Sequence, residues 1–276
     1  MSALDGLRVA LLESRSSTEL SELVRRLGGL PYAVPAVREV PRLDTIPLFI
    51  DALISGRFSA VIFLTGVGAT LLLEEAERLG SLESALAALR ATTVVCRGPK
   101  PSAALRRYDV PAHVKPVEPY TSKELLDALS GVDLDGKPVA LLHYGEPNQP
   151  LADALKARGA QLDERMLYEW MLPEDCAPLE SLIQDLVDDH VDAIAFTSQV
   201  QCRHLFEVAA NLGRSDALAR ALNDHTIVAV IGPVCATALR ANGVIPDVIP
   251  AHPKMGPLIA ALADYVELTA ASHPSP

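Results

Sequence analysis

The chain has 276 residues, of which 49% are hydrophobic and only 4% aromatic; that length suits two α/β domains of ordinary size with a core of Ala, Leu and Val. A formal charge of -11, with no clustering of Lys and Arg, argues against a nucleic-acid or anionic-membrane surface, so neither partner is expected. Cys96, Cys176, Cys202 and Cys235 lack metal-ligand spacing, no secretory leader precedes Leu7, and no apolar run approaches the roughly 20 residues of a membrane span, so a cytoplasmic chain without a metal site is expected.

In chain order, short apolar runs alternate with amphipathic helical stretches, the pattern of a parallel sheet with helical crossovers. Strands are predicted over Arg8 to Leu12, Ala60 to Leu64, Thr93 to Cys96, Val139 to Leu142, Ala193 to Phe196 and Ile227 to Ile231. The six βα units fall into two sets of three. LRVALLESRSSTELSELVRRLG from Leu7 resembles KPVALLHYGEPNQPLADALKARG from Lys137. FSAVIFLTGVGATLLLEEAERLG from Phe58 resembles VDAIAFTSQVQCRHLFEVAANLG from Val191, and VVCRGPKPSAALRRYDVPAHVKP from Val94 resembles VAVIGPVCATALRANGVIPDVIP from Val228. Three matches in one order at nearly one offset, about 130 residues, imply an internal duplication and two similar α/β lobes. The Pro-containing stretches Pro31 to Pro41 and Leu167 to Pro178 occupy matching places and read as extended. A chain that crosses between lobes at both leaves one lobe discontinuous, and a simple split near Ser130 is the alternative.

Ligands of open parallel sheets lie beyond the carboxyl ends of the strands. The loops there are Glu13 to Ser17, Thr65-Gly66-Val67-Gly68, Arg97-Gly98-Pro99-Lys100, His143-Tyr144-Gly145-Glu146, Thr197-Ser198-Gln199 and Gly232-Pro233-Val234-Cys235. Their small residues let backbone N–H groups approach an anion. Any one of them is also explained as a tight turn or helix cap; the set together points to anion binding. There is no GxxxxGK[ST], and TGVGATLL lacks the third glycine and the acidic ribose ligand of a dinucleotide site. GxSxG, HExxH and a Cys with a recognisable His partner are absent too, so ATP, NAD and hydrolase chemistry find no support and no cofactor is expected. His143 and Tyr144 follow a strand and are the most site-like titratable residues, and Arg15 and Lys100 are candidate carboxylate partners. His204 lies within a helix and is expected to be packed or exposed, and His190, His225, His252 and His273 to be solvated. Lys123 and Lys254 stand at matching places before the last helix of each lobe.

The segments TTVVCRGPKPSAAL, EPYTSKELLDAL, ALLHYGEPNQPLADALKARGAQLDERMLYEW, AIAFTSQVQ and VAVIGPVCATALRANGVIPDVIPAHPKMGPLIAAL resemble, in order and spacing, the uroporphyrinogen-III synthases from Leu7 to about Val266. The resemblance implies an α/β fold of two similar parallel-sheet lobes joined by a two-stranded connection, with one lobe discontinuous. The first lobe is expected from residues 1–38 and 174–270 and the second from 42–167, with connections at 39–41 and 168–173 and a disordered tail over 271–276. It also implies a cofactor-free lyase of tetrapyrrole (haem) biosynthesis. The substrate, hydroxymethylbilane, is a linear tetrapyrrole with eight carboxylates, held between the lobes and closed to uroporphyrinogen III with loss of water and inversion of ring D.

Tyr168, within RMLYEW, falls on the family's tyrosine and is expected to assist loss of the substrate hydroxyl. Substrate contacts are expected from Arg15, from Thr65, Gly66, Val67 and Gly68, and from Arg97, Gly98, Lys100 and Ser102. The rest are expected from Thr121, Ser122 and Lys123, from His143, Tyr144 and Gly145, and from Thr197, Ser198, Gln199, Gly232 and Cys235. Pro101 and Cys235 stand where many members carry Thr; Ser102 is read as a stand-in for the first. The rival reading is a catalytically silent relative that binds or senses a tetrapyrrole. Some such proteins carry a DNA-binding extension, and because Pro276 follows no basic helix-turn-helix, the enzyme is the expected reading. A two-lobed solute-binding protein would need an export signal that is missing here. A monomer is expected, with transient contact to hydroxymethylbilane synthase.

Overall fold

In the computed structural model, which describes residues 3–272, the chain opens with β1 (Arg8–Leu11), α1 (Ser17–Arg26), β2 (Leu30–Ala33) and β3 (Arg38–Pro41). It continues through α2 (Ile46–Ile54), β4 (Ala60–Phe63), α3 (Gly66–Arg78), α4 (Leu82–Ala91), β5 (Thr93–Cys96), α5 (Pro99–Arg106), α6 (Ser122–Ala128) and β6 (Pro138–His143). Then come α7 (Gln149–Ala157), β7 (Gln161–Met166), β8 (Tyr168–Met171), α8 (Ala177–Val187), β9 (Ala193–Phe196) and α9 (Gln199–Asn211). The chain closes with α10 (Ser215–Asp224), β10 (Ile227–Val230), α11 (Pro233–Arg240) and α12 (Met255–Ser272).

These elements divide into two units, Met1–Arg38 with Met171–Pro276 and Glu39–Trp170. The first holds a parallel sheet of order β10-β9-β1-β2 and the second a parallel sheet of order β5-β4-β6-β7. The order is the same when β6, β7, β4 and β5 are read for β1, β2, β9 and β10. Both points of division fall within a two-stranded sheet of β3 and β8, beside which the Arg42 amide donates to Leu167 O at 2.9 Å. Ser130 lies inside the second unit.

Two-sided burial explains why the strands read as unbroken apolar runs. Along β1, Val9 and Leu11 pack with Leu20, Leu258 and Ile259, while Ala10 and the following Leu12 face Leu182, Ile183 and Leu186. Along β4, Val61 and Phe63 meet Phe49, Leu72 and Leu89, and Ala60 and Ile62 meet Leu125, Leu151 and Leu155. Each fully buried Leu or Ile contributes about 1.5–3 kcal/mol. These cores hold the carboxyl ends of the strands, and the loops after them, in place.

The edge strands β2 and β7 escape the apolar-run criterion. They read LPYA and QLDERM, and both are mostly half-buried or exposed; having a single neighbour each, they tolerate charges such as Asp163, Glu164 and Arg165 that keep an edge from pairing further. The end of the chain also differs from expectation. Ala271 and Ser272 close α12 instead of beginning a disordered tail, because the helix carries Leu258, Ile259, Leu262 and Ala263 into the core. The remainder of that tail, residues 273–276 with His273, lies outside the described residues. Among the described residues, no helix is long and apolar enough to cross a membrane.

Candidate functional site

The second unit gathers a polar and aromatic cluster at the ends of β4, β5 and β6. Thr65 leaves β4 in an extended conformation, and its Oγ1 accepts the Gly68 amide at 3.1 Å to cap α3. The same oxygen accepts the Tyr168 hydroxyl from the start of β8 at 3.2 Å. A Cβ at Gly68 would lie 3.4 Å from Thr65 Oγ1 and 3.9 Å from the Tyr168 ring, so the missing side chain leaves room for this bond. At Gly66 a Cβ would lie 3.1 Å from the backbone of Lys100, which shows how closely the starts of α3 and α5 approach. Val67 is half-buried on the first turn of α3 and Lys100 is exposed on that of α5.

Arg97 follows β5 and is half-buried, with its guanidinium carbon 4.8 Å from the centre of the Tyr144 ring. Burial lowers its pKa, and the groups that oppose this are the hydroxyls of Tyr144 and Tyr168, with no carboxylate contributing among the described residues. Burial in turn pushes the Tyr144 phenol up, partly offset by Arg97. Tyr144 lies 5.6 Å from the Trp170 ring, which meets Tyr168 edge-on at 6.5 Å. Gly145 is the residue this stack requires. Its φ is 46°, and a Cβ there would fall 2.2 Å from the Trp170 ring. The Trp170 amide donates to Gly145 O at 3.3 Å. Trp170 was not among the expected site residues, although its spacing of two from Tyr168 on one strand places both on one face.

Several expected contacts are instead engaged in holding these loops. His143 is 2% exposed; its Nδ1 accepts the Asn148 amide at 3.1 Å, which leaves Nε2 to donate to Glu164 at 3.0 Å. Glu164 also takes Lys156 Nζ at 2.6 Å. Burial alone would raise the Glu164 carboxyl, but the bonds from Lys156 and His143 prevail and hold it below its usual range. His143 therefore anchors the loop that carries Tyr144 and Gly145. Asn148 caps α7 and donates to Ser122 Oγ at 3.0 Å, while Thr121 forms a capping box with Glu124 on α6. Lys123 pairs with Asp127 at 2.7 Å on the exposed face of that helix. Ser102 is buried and donates back to Gly98 O at 3.1 Å, a bond that uses its proton on the loop's own backbone. A Cβ at Gly98 would meet the Tyr120 ring at 3.6 Å.

The corresponding loops of the first unit satisfy themselves. Gln201, 3% exposed, accepts the Thr197 amide at 2.7 Å and donates to Thr197 Oγ1 at 2.8 Å and to Glu13 at 3.2 Å. The Thr197 hydroxyl donates to the same Glu13 carboxylate. Ser198 caps α9 through the Gln201 amide at 3.4 Å. Gln199 and Arg15 have partners of their own, and Arg15 is exposed. Gly232 is extended, and a Cβ there would make ordinary contact with Pro253 at 3.5 Å. Cys235 is buried beside Cys202, whose thiol bond lowers the Cys235 pKa while the Cys202 thiol is pushed up. Of the two alternatives for His204, packed or exposed, the structure shows the first, with Nδ1 donating to Ala36 O at 2.7 Å. Among the described residues, no group of three His, Cys, Asp or Glu is placed to hold a metal ion.

A family model described as Uroporphyrinogen-III synthase HemD matches residues 18–260. A uroporphyrinogen III synthase mutant from Thermus thermophilus superposes with a TM-score of 0.70 at 29% identity, covering 95% of this chain and 100% of that one. Uroporphyrinogen-III synthetase from Helicobacter pylori superposes with a TM-score of 0.56 over 96% of this chain and 99% of that one; its 16% identity speaks to the fold alone. The Bacillus subtilis protein named "Uncharacterized protein YjjA" is 31% identical over 263 residues, 95% of this chain and 97% of its own. The chain belongs to the uroporphyrinogen-III synthase family.

Proposed function

We propose that the chain is a uroporphyrinogen-III synthase, closing hydroxymethylbilane to uroporphyrinogen III with loss of water and inversion of ring D. The observation that carries this reading is Arg97. A half-buried guanidinium flanked by phenols, with no carboxylate among the described residues acting on it, is costly in a chain with 35 acidic and 24 basic residues. A ligand carboxylate would complete it with a charge-assisted pair, and the Tyr144 and Trp170 rings beside it offer faces to a pyrrole. The contacts we propose centre on Thr65 to Gly68, Arg97, Tyr144, Gly145, Tyr168 and Trp170.

The chemistry is won by orientation. Loss of the ring A hydroxyl gives an azafulvene cation; capture by the substituted end of ring D gives a spiro intermediate that fragments and recloses with ring D reversed. Direct closure to the symmetric type I product is the easy alternative, so the protein must favour the geometry that leads away from it. The reading includes an internal duplication, supported by the identical strand order of the two sheets, and a cytoplasmic monomer that receives substrate through contact with hydroxymethylbilane synthase. The test is to supply hydroxymethylbilane, oxidise the products and separate the isomers. Type III in excess of the spontaneous type I is expected. Type I alone from a protein that still binds tetrapyrrole would mark a catalytically silent relative.

A further inference from the structure

A threonine hydroxyl has two lone pairs and one proton. At Thr65 the Gly68 amide takes one lone pair at 3.1 Å and the Tyr168 hydroxyl takes the other at 3.2 Å. With Tyr168 as the donor of that bond, the Thr65 proton points in a third direction. Thr65 is half-buried, whereas Tyr168 is 1% exposed, so of the two hydroxyls Thr65 is the one a ligand can reach. Its neighbours Gly66 and Gly68 carry no side chains to shield it. Behind it, Tyr168 lies near enough to Arg97 to act electrostatically on the guanidinium. The order is cation, phenol, alcohol, and then the half-buried side of Thr65.

We propose that the Thr65 hydroxyl touches the departing hydroxyl of the substrate, with Tyr168 behind it as a positioning residue and proton source; this rests on the reading above that the chain cyclises hydroxymethylbilane. The bond from the ring A methylene carbon to oxygen breaks, and its electron pair leaves with the oxygen. That oxygen takes the Thr65 proton and departs as water, while the Tyr168 proton moves along the hydrogen bond to restore the Thr65 hydroxyl. The ring A nitrogen lone pair supplies the electrons of the new exocyclic double bond. Tyr168 is left as a phenolate beside Arg97. The proton that ring D carbon loses on closure returns through Thr65 to Tyr168, so the hydroxyls end as they began.

Single-turnover conversion of hydroxymethylbilane, with isomers resolved, tests this in wild type, Thr65→Val, Thr65→Ser, Thr65→Asn and Tyr168→Phe. Thr65→Val is expected to slow type III formation about 100-fold, the low end of general-acid effects, and Thr65→Ser to recover most of it. Tyr168→Phe is expected to cost about tenfold or less, since Thr65 still meets the oxygen and bulk water can refill it afterwards, in a separate step. Thr65→Asn keeps an oxygen to cap α3 and removes the hydroxyl; it is expected to melt near wild type and react as slowly as Thr65→Val. In mixtures of H2O and D2O the wild-type rate should bow with deuterium fraction, as two moving protons require, and become a straight line in Tyr168→Phe. The assignment is overturned by a Tyr168→Phe loss as large as that of Thr65→Val, by an active Thr65→Asn, or by a straight wild-type plot. A wild-type chain that makes no type III product overturns the reading of function and this assignment with it.

Discussion

At the end of β4 the chain reads Thr65-Gly66-Val67-Gly68, and at the matching end of β9 it reads Ser198-Gln199-Val200-Gln201. Both first residues are extended, and both cap their helix through the amide three residues on. The fourth residue separates them. Gly68 leaves space that the Tyr168 hydroxyl uses to reach the cap, whereas Gln201 folds back onto the Thr197 amide and joins it to Glu13. On the proposed reading the first loop takes the ligand, whereas the second is closed by its own side chains. A helix cap alone therefore does not make an anion site; the residue three positions into the helix start decides whether the backbone donors remain available.

The largest effect is expected at the support of the second unit's loop. Gly145→Ala would drive a methyl into the Trp170 ring from a backbone with φ 46°, and should cost up to about 3 kcal/mol of stability. Urea unfolding followed by Trp170 emission measures it; a stability within error of wild type would show that the stack yields and does not fix the loop. Next is Arg97→Met, which should weaken tetrapyrrole binding by about 1.5–3 kcal/mol while leaving the melting temperature unchanged or higher, because a half-buried charge without a carboxylate partner among the described residues is removed. Loss of both affinity and stability would instead make Arg97 structural.

On the other side of the comparison, Gln201→Ala should cost about 1 kcal/mol, since the half-buried Thr197 amide loses its acceptor and water replaces it only in part. Affinity for tetrapyrrole should stay near wild type, and a rise in affinity would show that Gln201 blocks a second anion site. The smallest effect is pH-dependent. The Glu164 carboxyl titrates below its ordinary 4.5 when folded, so its contribution is complete above that pH and is lost as pH falls through the folded value. Glu164→Gln should therefore cost under about 1 kcal/mol near neutrality, with the difference from wild type vanishing in acid. A difference that grows in acid would reverse the sign of this account.

The legible part of the fold was the part buried on two faces. RVALL and AVIFL announce central strands because every residue there is apolar, whereas β2 and β7 carry polar edges whose partners lie far along the chain. Loop positions were legible for the same reason, since they follow the apolar runs. Roles within the loops were less so. His143 reads as a site residue because its partners, the Asn148 amide and the Glu164 carboxylate on the neighbouring strand, declare themselves only once β6 and β7 pair. Trp170 and Gln201 are not legible as site residues, because each matters through packing against a residue distant in sequence or through its place in the repeat.

Trp170 is the sole tryptophan of the chain and stands against Tyr144, the residue that carries Arg97 over its ring, so its emission reports directly on whether the second unit's loops take the ligand. Titration with uroporphyrin III, a stable octacarboxylate probe, should quench that emission saturably in wild type. The quench should weaken by about tenfold or more in Arg97→Met, as loss of a charge-assisted bond requires, and persist in Gln201→Ala. An undiminished titration in Arg97→Met, with affinity lost in Gln201→Ala, would contradict the account and move the site to the first unit.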